Sequence, residues 1–433
     1  MKIYKYSEVD QQQFSDITAR ANDSDPKIKQ IVLGIIDDVK KRGDQALVEL
    51  TRKFDYVEFD LSQLKVIRQE IDEAYVKVDA ELIESLKAAK ANIEAFNQAQ
   101  LKAKDAEIEN NGVELWREFR PIEKIGLYVP GGKAAYPSTV LMLAMPAKVA
   151  GSKNIIITTP VSKDGKCNPA VLVAADICGV TEIYKIGGAQ AIAAMAYGTA
   201  TIPKVYKIFG PGNSFVTEAK MAVFGSVNID IPAGPSECMV ISDTEQNSAW
   251  IAADLLSQLE HAEDSQAGLV TFSKEFAIKV IDQMKIQMQK LSRKEIIEES
   301  LKKSFAFVVD NIEQATQVAN EYAPEHLEIV FADQNIEKQV LALINNAGSI
   351  FLGPYSSEPL GDYATGSNHT LPTSAFAKMF EGLSVENFGK RLQVQRVSKE
   401  GIGNLRNIVK VIGTSEGLDA HVNSVEVRFG QNS

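Results

Sequence analysis

Residues 182–213 read EIYKIGGAQAIAAMAYGTATIPKVYKIFGPGN, and this stretch contains the pattern that decides the fold. A short apolar run, EIYKI, ends at two glycines, and the helix-like run AIAAMAYG follows. The same order then returns, because KVYKIF leads into GPGN and next into FVTEAKMAVF. Strand, glycine turn and helix in repeated succession predict a parallel sheet covered by helices.

The alternation continues on both sides of this stretch. The sequence predicts buried strands before it and after it, with helices around 248–260, 275–291 and 311–321 between the later strands. The predicted strands are GLYV (126–129), NIIITT (154–159), VNIDI (227–231), CMVIS (238–242), GLVTF, FAFVV and HLEIVF. We therefore predict an α/β protein with two Rossmann-like domains. Each would have an incomplete parallel sheet, and the chain would add an N-terminal helical arm and a small C-terminal extension.

Composition narrows the class of protein. The chain has 433 residues with 45% hydrophobic residues, which is typical of a globular protein with a large core. The formal net charge of -11 argues against a nucleic-acid partner, which favours a basic face. The three cysteines are far apart and form no CxxC pair, so we expect no disulfides. The N-terminus has no apolar signal region, and no apolar run approaches about 18 residues, so we expect a cytoplasmic protein without membrane contact.

Two further segments carry local signals. Ser24-Asp25-Pro26 predicts a helix start, because a capping residue precedes a proline in the first turn. The stretch PYSSEPLGDYATGSNHTLPT, from residue 354, predicts a long loop. Such loops in ordered enzymes usually carry function.

Three glycine turns are candidate phosphate sites. PGG (130–132), GGAQ (187–190) and GPGN (210–213) each lie where a predicted strand gives way to a helix. Helix N-termini present free N–H groups that bind anions, and ligands of open α/β sheets lie at the carboxyl ends of the strands. The chain has no GxGxxG with a later acidic residue, so ordinary turn glycines remain an alternative at each position.

The four histidines, His261, His326, His369 and His421, each lie close to acidic or amide residues. Gln258 shares a predicted helix face with His261, and Asp362 lies in the glycine-rich loop. Two histidines and two oxygen donors suit zinc, so we hold a zinc site open beside the alternative of hydrogen-bonded structural histidines.

EYAPEHLEIV (321–330) contains the candidate general bases, Glu325 and His326. Histidine titrates near neutral pH, and a neighbouring carboxylate can orient it or activate a water molecule. The alternative is a solvated pair at the start of a strand. Adjacent side chains of a strand point to opposite faces. If both residues serve one site, the pair should therefore lie in a turn, with the strand beginning at Leu327.

Together these stretches resemble the histidinol dehydrogenases. The motifs run in family order over nearly the whole chain, from RGDQAL (42–47) onward. They are YVPGGKAAYPSTVLM, GGAQAIAAMAYGT, GPGN, DIPAGPSE, LLSQLEHAED, YAPEHLE, GDYATGSNHTLPT and LDAHVNSV. Several of them are long and specific.

The resemblance implies an NAD-dependent enzyme with one Zn²⁺ per subunit. It implies the four-electron oxidation of L-histidinol to L-histidine via L-histidinal, with two NAD reduced, as the last step of histidine biosynthesis. It also implies a cytoplasmic homodimer whose sites are shared across the interface. The alternative within this class is a zinc-dependent dehydrogenase of a related amino alcohol. A zinc hydrolase using Glu325 and a non-catalytic binding protein are alternatives from other classes.

The resemblance also implies roles for individual residues. Glu325 and His326 would be catalytic, and His369 is a nearby candidate only. Zinc would be held by Gln258, His261, Asp362 and His421. NAD would contact Tyr128, Gln190 and Asn213. The substrate would contact Ser236, Gln258, His261, His326, Asp362, Glu416 and His421.

The same resemblance gives a domain division. Residues 1–24 would form the arm. Residues 25–127 with 236–380 would form a larger α/β domain that carries most of the metal and catalytic site. Residues 128–235 would form an inserted NAD-binding domain, and residues 381–433 would pack on the partner subunit.

Overall fold

A computed structural model describes residues 1–20, 26–55, 57–131, 136–231 and 234–430. The residues Ser24 and Asp25 of the predicted helix start, Gly132 of the first glycine turn, and Pro232 and Ala233 lie outside the described residues. The strands are β1 Lys2–Lys5, β2 Lys104–Asn110, β3 Val113–Pro121, β4 Lys124–Tyr128, β5 Asn154–Thr159, β6 Ile183–Lys185, β7 Lys207–Phe209, β8 Asn228–Ile229, β9 Glu237–Ser242, β10 Gln266–Thr271, β11 Phe305–Val308, β12 His326–Val330, β13 Ser349–Leu352 and β14 Gly389–Val397.

Helices connect most of these strands. Several begin at a side-chain cap, for example Asn213 before α9 and Asn311 before α13. The helices are α1 Gln11–Ile17, α2 Pro26–Arg42, α3 Asp44–Asp55, α4 Arg68–Lys77, α5 Ala80–Gln100, α6 Pro137–Ala150, α7 Pro169–Ile177, α8 Gly188–Tyr197, α9 Ser214–Val223, α10 Ser248–Leu259, α11 Lys274–Met288, α12 Lys294–Leu301, α13 Ile312–Tyr322, α14 Gln334–Leu343, α15 Glu358–Tyr363, α16 Lys399–Ser415 and α17 Asp419–Glu426.

Two parallel sheets share one strand order. The five-stranded sheet runs β6-β5-β4-β7-β8, and the six-stranded sheet runs β1-β11-β10-β9-β12-β13. Numbered from β4 or from β9, both read 3-2-1-4-5, and β1 adds an edge strand to the second sheet. This is the order of a Rossmann fold that lacks its last strand. The prediction of an α/β protein with two incomplete Rossmann-like sheets is therefore confirmed.

A third, antiparallel sheet was not predicted. Strand β3 pairs with β2 and with β14, in the order β14-β3-β2. Asn111 and Gly112 form the β2–β3 turn, both with positive φ, 48° and 77°. An Asn-Gly pair between alternating residues is the usual signal of such a turn, so the sequence contained this hairpin.

The N-terminal helices pack beside the five-stranded sheet. Residues of α2, α3 and α5, including Val32, Leu47 and Ile93, belong to the same core as Leu127 and Ile157 of that sheet. Their apolar faces pack against α6, α7, α8 and α9. The predicted domain division stays a prediction.

The six-stranded sheet has a core on each face. One lies beneath α10, α11 and α12, and the other beneath α13 and α14 and includes Phe14 of the arm. The arm is thus more than helical, because Lys2–Lys5 form strand β1. Cys167 and Cys178 are buried in the first core and Cys238 in a core of the six-stranded sheet, and all three thiols are unpaired. In the described part of the chain, no helix has the length and apolar character needed to span a bilayer.

Candidate active site and cofactor cavity

The candidate bases lie at the junction between the end of α13 and the start of β12. Ala323 ends the helix in the left-handed region, with φ 52° and ψ 68°, and Pro324 follows it. Proline disfavours a right-handed helical residue before it, which explains why the helix ends there. Glu325 lies in the bend and His326 begins the strand, so the prediction that the strand begins at Leu327 is wrong by one residue. The bend lets both side chains serve one site.

His326 has one hydrogen-bonded nitrogen and one without such a partner. Its Nδ1 lies 3.1 Å from the backbone oxygen of Glu237. A carbonyl oxygen only accepts, so Nδ1 carries a hydrogen, and Nε2 holds the lone pair whenever the imidazole is neutral. Nε2 is buried without a hydrogen-bond partner, 3.6 Å from Asp362 Oδ1 and 4.0 Å from Glu358 Oε1. This nitrogen is thus placed to receive a proton.

The electrostatics of the pair follow from burial and from nearby carboxylates. Burial alone lowers the pKa of His326, but Glu325, Glu358 and Asp362 raise it to about 10. Burial raises the pKa of Glu325 to about 8, although His326 opposes that shift. A cation bound at Asp362 would neutralise part of this negative field and lower the pKa of His326, which a general base requires.

Gln258 and His261 lie at the C-terminal end of α10. Gln258 is in the last turn, and His261 follows the helix, with Gln258 Nε2 3.1 Å from His261 Nδ1. Gln258 Oε1 is buried and has no hydrogen-bond partner. Helix C-termini favour positive charge, so this end of α10 suits a cation.

Asp362 lies on α15 rather than in a loop. Ser357 and Pro359 form the start signal of this short helix, which interrupts the predicted loop. Burial alone raises the pKa of Asp362, but His326, His369 and His261 together hold that pKa below its usual range. The structure therefore brings Asp362 close to three of the four histidines, including His369.

These residues fit a zinc ion. Imidazole nitrogen and carboxylate oxygen are ordinary zinc ligands, and the free Oε1 of Gln258 has no other role in the fold. Geometry within the described residues also favours an overlapping set, since donor atoms of His326, Glu358 and Asp362 lie within 4.8 Å of one another. If Nε2 of His326 bound the metal, His326 could not act as a base. The ligand set with Gln258 and His261 therefore leaves His326 available as a base, and the set with His326 and Glu358 does not.

Sequence reasoning missed a group of buried acids behind His326. Glu328 shares a strand face with His326, and its Oε1 accepts a hydrogen bond of 2.9 Å from the backbone nitrogen of Glu358. Ser257 donates to Glu358 at 2.9 Å, and burial raises the pKa of Glu358 to about 7. The i, i+2 spacing in HLEIV was the available signal.

The remaining predicted site residues lie in two places. Ser236 precedes β9, and its backbone oxygen accepts a hydrogen bond of 3.1 Å from Gln266. Glu416 and His421 are exposed on the C-terminal helical pair, where α17 packs on α16. Within the described residues, no hydrogen bond or ion pair joins either side chain to the His326 cluster.

The predicted NAD contacts lie together in a separate cavity of about 740 Å³. It opens at the carboxyl ends of β4 to β7, and its lining includes Tyr128, Gln190 and Asn213. Asp55, Pro160 and Gly187 also line it. The size is within the range of about 300–1,000 Å³ usual for cofactor sites.

Close backbone packing shapes this cavity. The hydroxyl of Tyr128 accepts a hydrogen bond of 3.2 Å from Gly188 N at the start of α8. Gly210 has φ +130°, and a Cβ there would lie 2.0 Å from the backbone oxygen of Tyr128. Asn213 caps α9 by accepting from Phe215 N at 3.1 Å, which leaves its amide NH₂ for a ligand. These turns fit the phosphates and polar edges of a dinucleotide.

A buried ion pair supports the Gly210 turn. The Lys220 ammonium donates to the backbone oxygens of Gly210 at 2.9 Å and Ile231 at 3.1 Å. Its third partner is Asp230, whose other oxygen accepts from Gly210 N at 2.7 Å. Two hydrogen bonds and one ion pair of the lysine therefore hold the Gly210 turn beside the end of β8.

Comparison with known proteins identifies the family. The histidinol dehydrogenase family model matches residues 18–429. The chain is 50% identical to a histidinol dehydrogenase of Clostridium acetobutylicum, covering 96% of both chains, and 46% identical to one of Methanocaldococcus jannaschii, covering 99% of both. A crystal structure of histidinol dehydrogenase from Elizabethkingia anophelis superposes with a TM-score of 0.94 at 43% identity, covering 99% of this chain and 98% of that one. The chain belongs to the histidinol dehydrogenase family and is an oxidoreductase.

Proposed function

We propose that this oxidoreductase converts L-histidinol to L-histidine through L-histidinal, with two NAD reduced. Family membership supports the substrate. One observation carries the chemistry: Nε2 of His326, which holds the lone pair in the neutral imidazole, lies buried beside Asp362 without a hydrogen-bond partner. This nitrogen can therefore act as a general base and accept the proton of a substrate hydroxyl.

In the first oxidation, His326 Nε2 takes the proton of the substrate hydroxyl as the adjacent carbon loses a hydride. The hydrogen bond from Nδ1 to Glu237 keeps the imidazole in the required tautomer. The product of this step is the aldehyde, and a site closed to bulk water protects it from side reactions.

In the second oxidation, water must add to the aldehyde before another hydride can leave. Glu325 is the residue that we propose takes the proton from this water. Its Oε2 lies 3.7 Å from His326 Nδ1 and accepts from Glu237 N at 3.0 Å, so both bases share one anchor.

Zinc and NAD are proposed from the fit of the residues described above. Gln258, His261 and Asp362 would hold zinc, which would fix the amine and imidazole of the substrate in place. Tyr128, Gln190 and Asn213 would hold NAD, which would supply the hydride acceptor.

We also propose a cytoplasmic homodimer that completes each site with Glu416 and His421 of the partner chain. Their exposure supports this, as do the exposed apolar side chains Val411, Ile412 and Leu418 nearby. A mixed dimer of one His421→Ala chain and one His326→Asn chain should keep about half of wild-type activity, because one of its two sites is intact. No activity in a verified mixed dimer would contradict shared sites.

The decisive experiment counts NADH formed per histidinol consumed by the zinc-loaded enzyme. Two NADH per histidinol support the full proposal. One would mean that the aldehyde is the product, and none with histidinol but some with another amino alcohol would favour the related-substrate alternative.

A further inference from the structure

We propose that Glu237 is the positioning residue of the active site and that Arg20 of the N-terminal arm holds it there; this rests on the proposed roles of Glu325 and His326. Glu237 begins β9, next to the substrate candidate Ser236. It lies between β10 and β12, because its register partner on β10 is Gln266 and its neighbour Cys238 is opposite His326.

The backbone of Glu237 contacts both bases. Its N–H donates to Glu325 Oε2 at 3.0 Å, and its carbonyl accepts from His326 Nδ1 at 3.1 Å. The first contact fixes the carboxylate, and the second decides which imidazole nitrogen carries the lone pair. A shift of Glu237 would therefore displace both bases together.

The side chain of Glu237 is the anchor of that backbone. It is 1% exposed, and its two oxygens pair with Arg20 Nε at 2.6 Å and with Arg20 Nη2 at 2.9 Å. Ser374 N donates to the same carboxylate at 2.8 Å. Nη2 makes a hydrogen bond and Nε a close ion-pair contact, so the planar guanidinium pairs with both carboxylate oxygens, and the point charge of a lysine cannot do so in the same way.

Arg20 in turn holds the chain before the bases. Its Nη2 donates to the backbone oxygen of Tyr322 at 2.6 Å, and its guanidinium lies 3.9 Å from the centre of the Tyr322 ring. The Tyr322 hydroxyl donates to Gln266 at 2.7 Å. One arginine thus joins the end of α13 to the start of β9.

The test compares Arg20→Met, Arg20→Lys and Glu237→Gln in the zinc-loaded enzyme. We expect kcat for histidinol to fall about 10- to 100-fold, since misplacement by about 1 Å can cost about 100-fold. The KM for NAD should change less than about threefold, and Arg20→Lys should recover part of kcat. Arg391→Met is the matched control, because Arg391 is similarly shielded (13% exposed side chain against 12%) and pairs with Glu386 away from the His326 cluster.

A second readout does not depend on turnover. The chain has four histidines, so ¹⁵N-histidine labelling gives a simple NMR spectrum in which His326→Asn assigns His326. Wild type should show His326 with hydrogen on Nδ1, and Arg20→Met should show mixed tautomers. If the single variants do not fold, the double variant Arg20→Met, Glu237→Gln leaves no unpaired buried charge.

The outcomes separate the two proposals. A folded Arg20→Met or double variant with wild-type kcat and tautomer overturns the positioning role while the proposed function stands. A wild-type enzyme that forms no NADH from histidinol overturns the proposed function, and the NMR readout still tests the anchor.

Discussion

The two parallel sheets have the same strand order, yet they place their sites at opposite ends. In the five-stranded sheet, the cavity lies at the carboxyl ends of β4 and β7. In the six-stranded sheet, Glu237 and His326 lie at the amino ends of the corresponding strands, β9 and β12. The rule that ligands bind at carboxyl ends therefore holds for one sheet only.

Helix polarity explains what each end is suited to. The N-termini of α8 and α9 face the cavity and favour anions such as phosphates. The C-termini of α10 and α13 lie just before the amino ends of β10 and β12, where the helix dipole favours cations. Buried carboxylates strengthen that preference. One topology can thus hold a dinucleotide at one end and a metal with its bases at the other.

The largest predicted effect comes from a change at the amino ends of β9 and β12 that leaves the cavity of the other sheet intact. His326→Asn should lower alcohol oxidation by on the order of 10²–10⁴, because the general base is lost. NAD affinity, measured by calorimetry, should stay within about twofold, since the cavity lies on the other sheet. Near-normal turnover would refute the role of His326.

A second change separates the two oxidation steps. Glu325→Gln should slow aldehyde oxidation by on the order of 10², because water activation is lost, and slow alcohol oxidation less. Rapid-quench assays started from histidinol and from histidinal measure the two steps. Equal losses in both would argue against separate bases.

A third change breaks the carboxyl-end site. Gly210→Ala places a Cβ against the backbone oxygen of Tyr128 and keeps a φ that is unfavourable for alanine. We therefore expect KM for NAD to rise about tenfold. The free energy of unfolding should fall by about 1–3 kcal/mol. Zinc content should not change. Gly225→Ala is the control, because Gly225 also has positive φ (+96°) but open space around it. An equal effect of both variants would mean that backbone strain, not the close contact, is responsible.

The smallest effect concerns Asp55, a half-buried acid in the lining of the cavity. Burial raises the pKa of Asp55 to about 6, above the unfolded value of about 3.9, so the folded protein gains stability as pH falls through 6 toward 4. Asp55→Asn should raise Tm slightly at pH 7.5, and this gain should shrink at pH 5. Asp60, whose pKa Ser62 lowers by hydrogen bonding, should show the opposite pH trend when changed to Asn. A pH-independent difference for Asp55→Asn would rule out the charge as its cause.

Sequence reasoning reached the features that local patterns encode. Strand β5 was predicted with its observed bounds. The resemblance to the family implied Tyr128, Gln190 and Asn213 as NAD contacts, and all three line one cavity. Helix α15 was missed although Ser357 and Pro359 form the same kind of signal that was read at Ser24 and Pro26. The proposed positioning role of Glu237 could not be predicted from the sequence. It depends on backbone atoms and on a pairing of β9 with β12, which lie 88 residues apart.

The distribution of cysteines has a practical consequence. Two buried thiols, Cys167 and Cys178, belong to the core of the cavity sheet, and Cys238 lies beside Glu237 in the other sheet. A thiol-reactive probe can modify each only after local opening, so its labelling rate measures the opening free energy of that half. Mass spectrometry of labelled peptides from the wild-type protein would then show which of the two sheets opens first. It would also show which sheet each ligand protects from labelling.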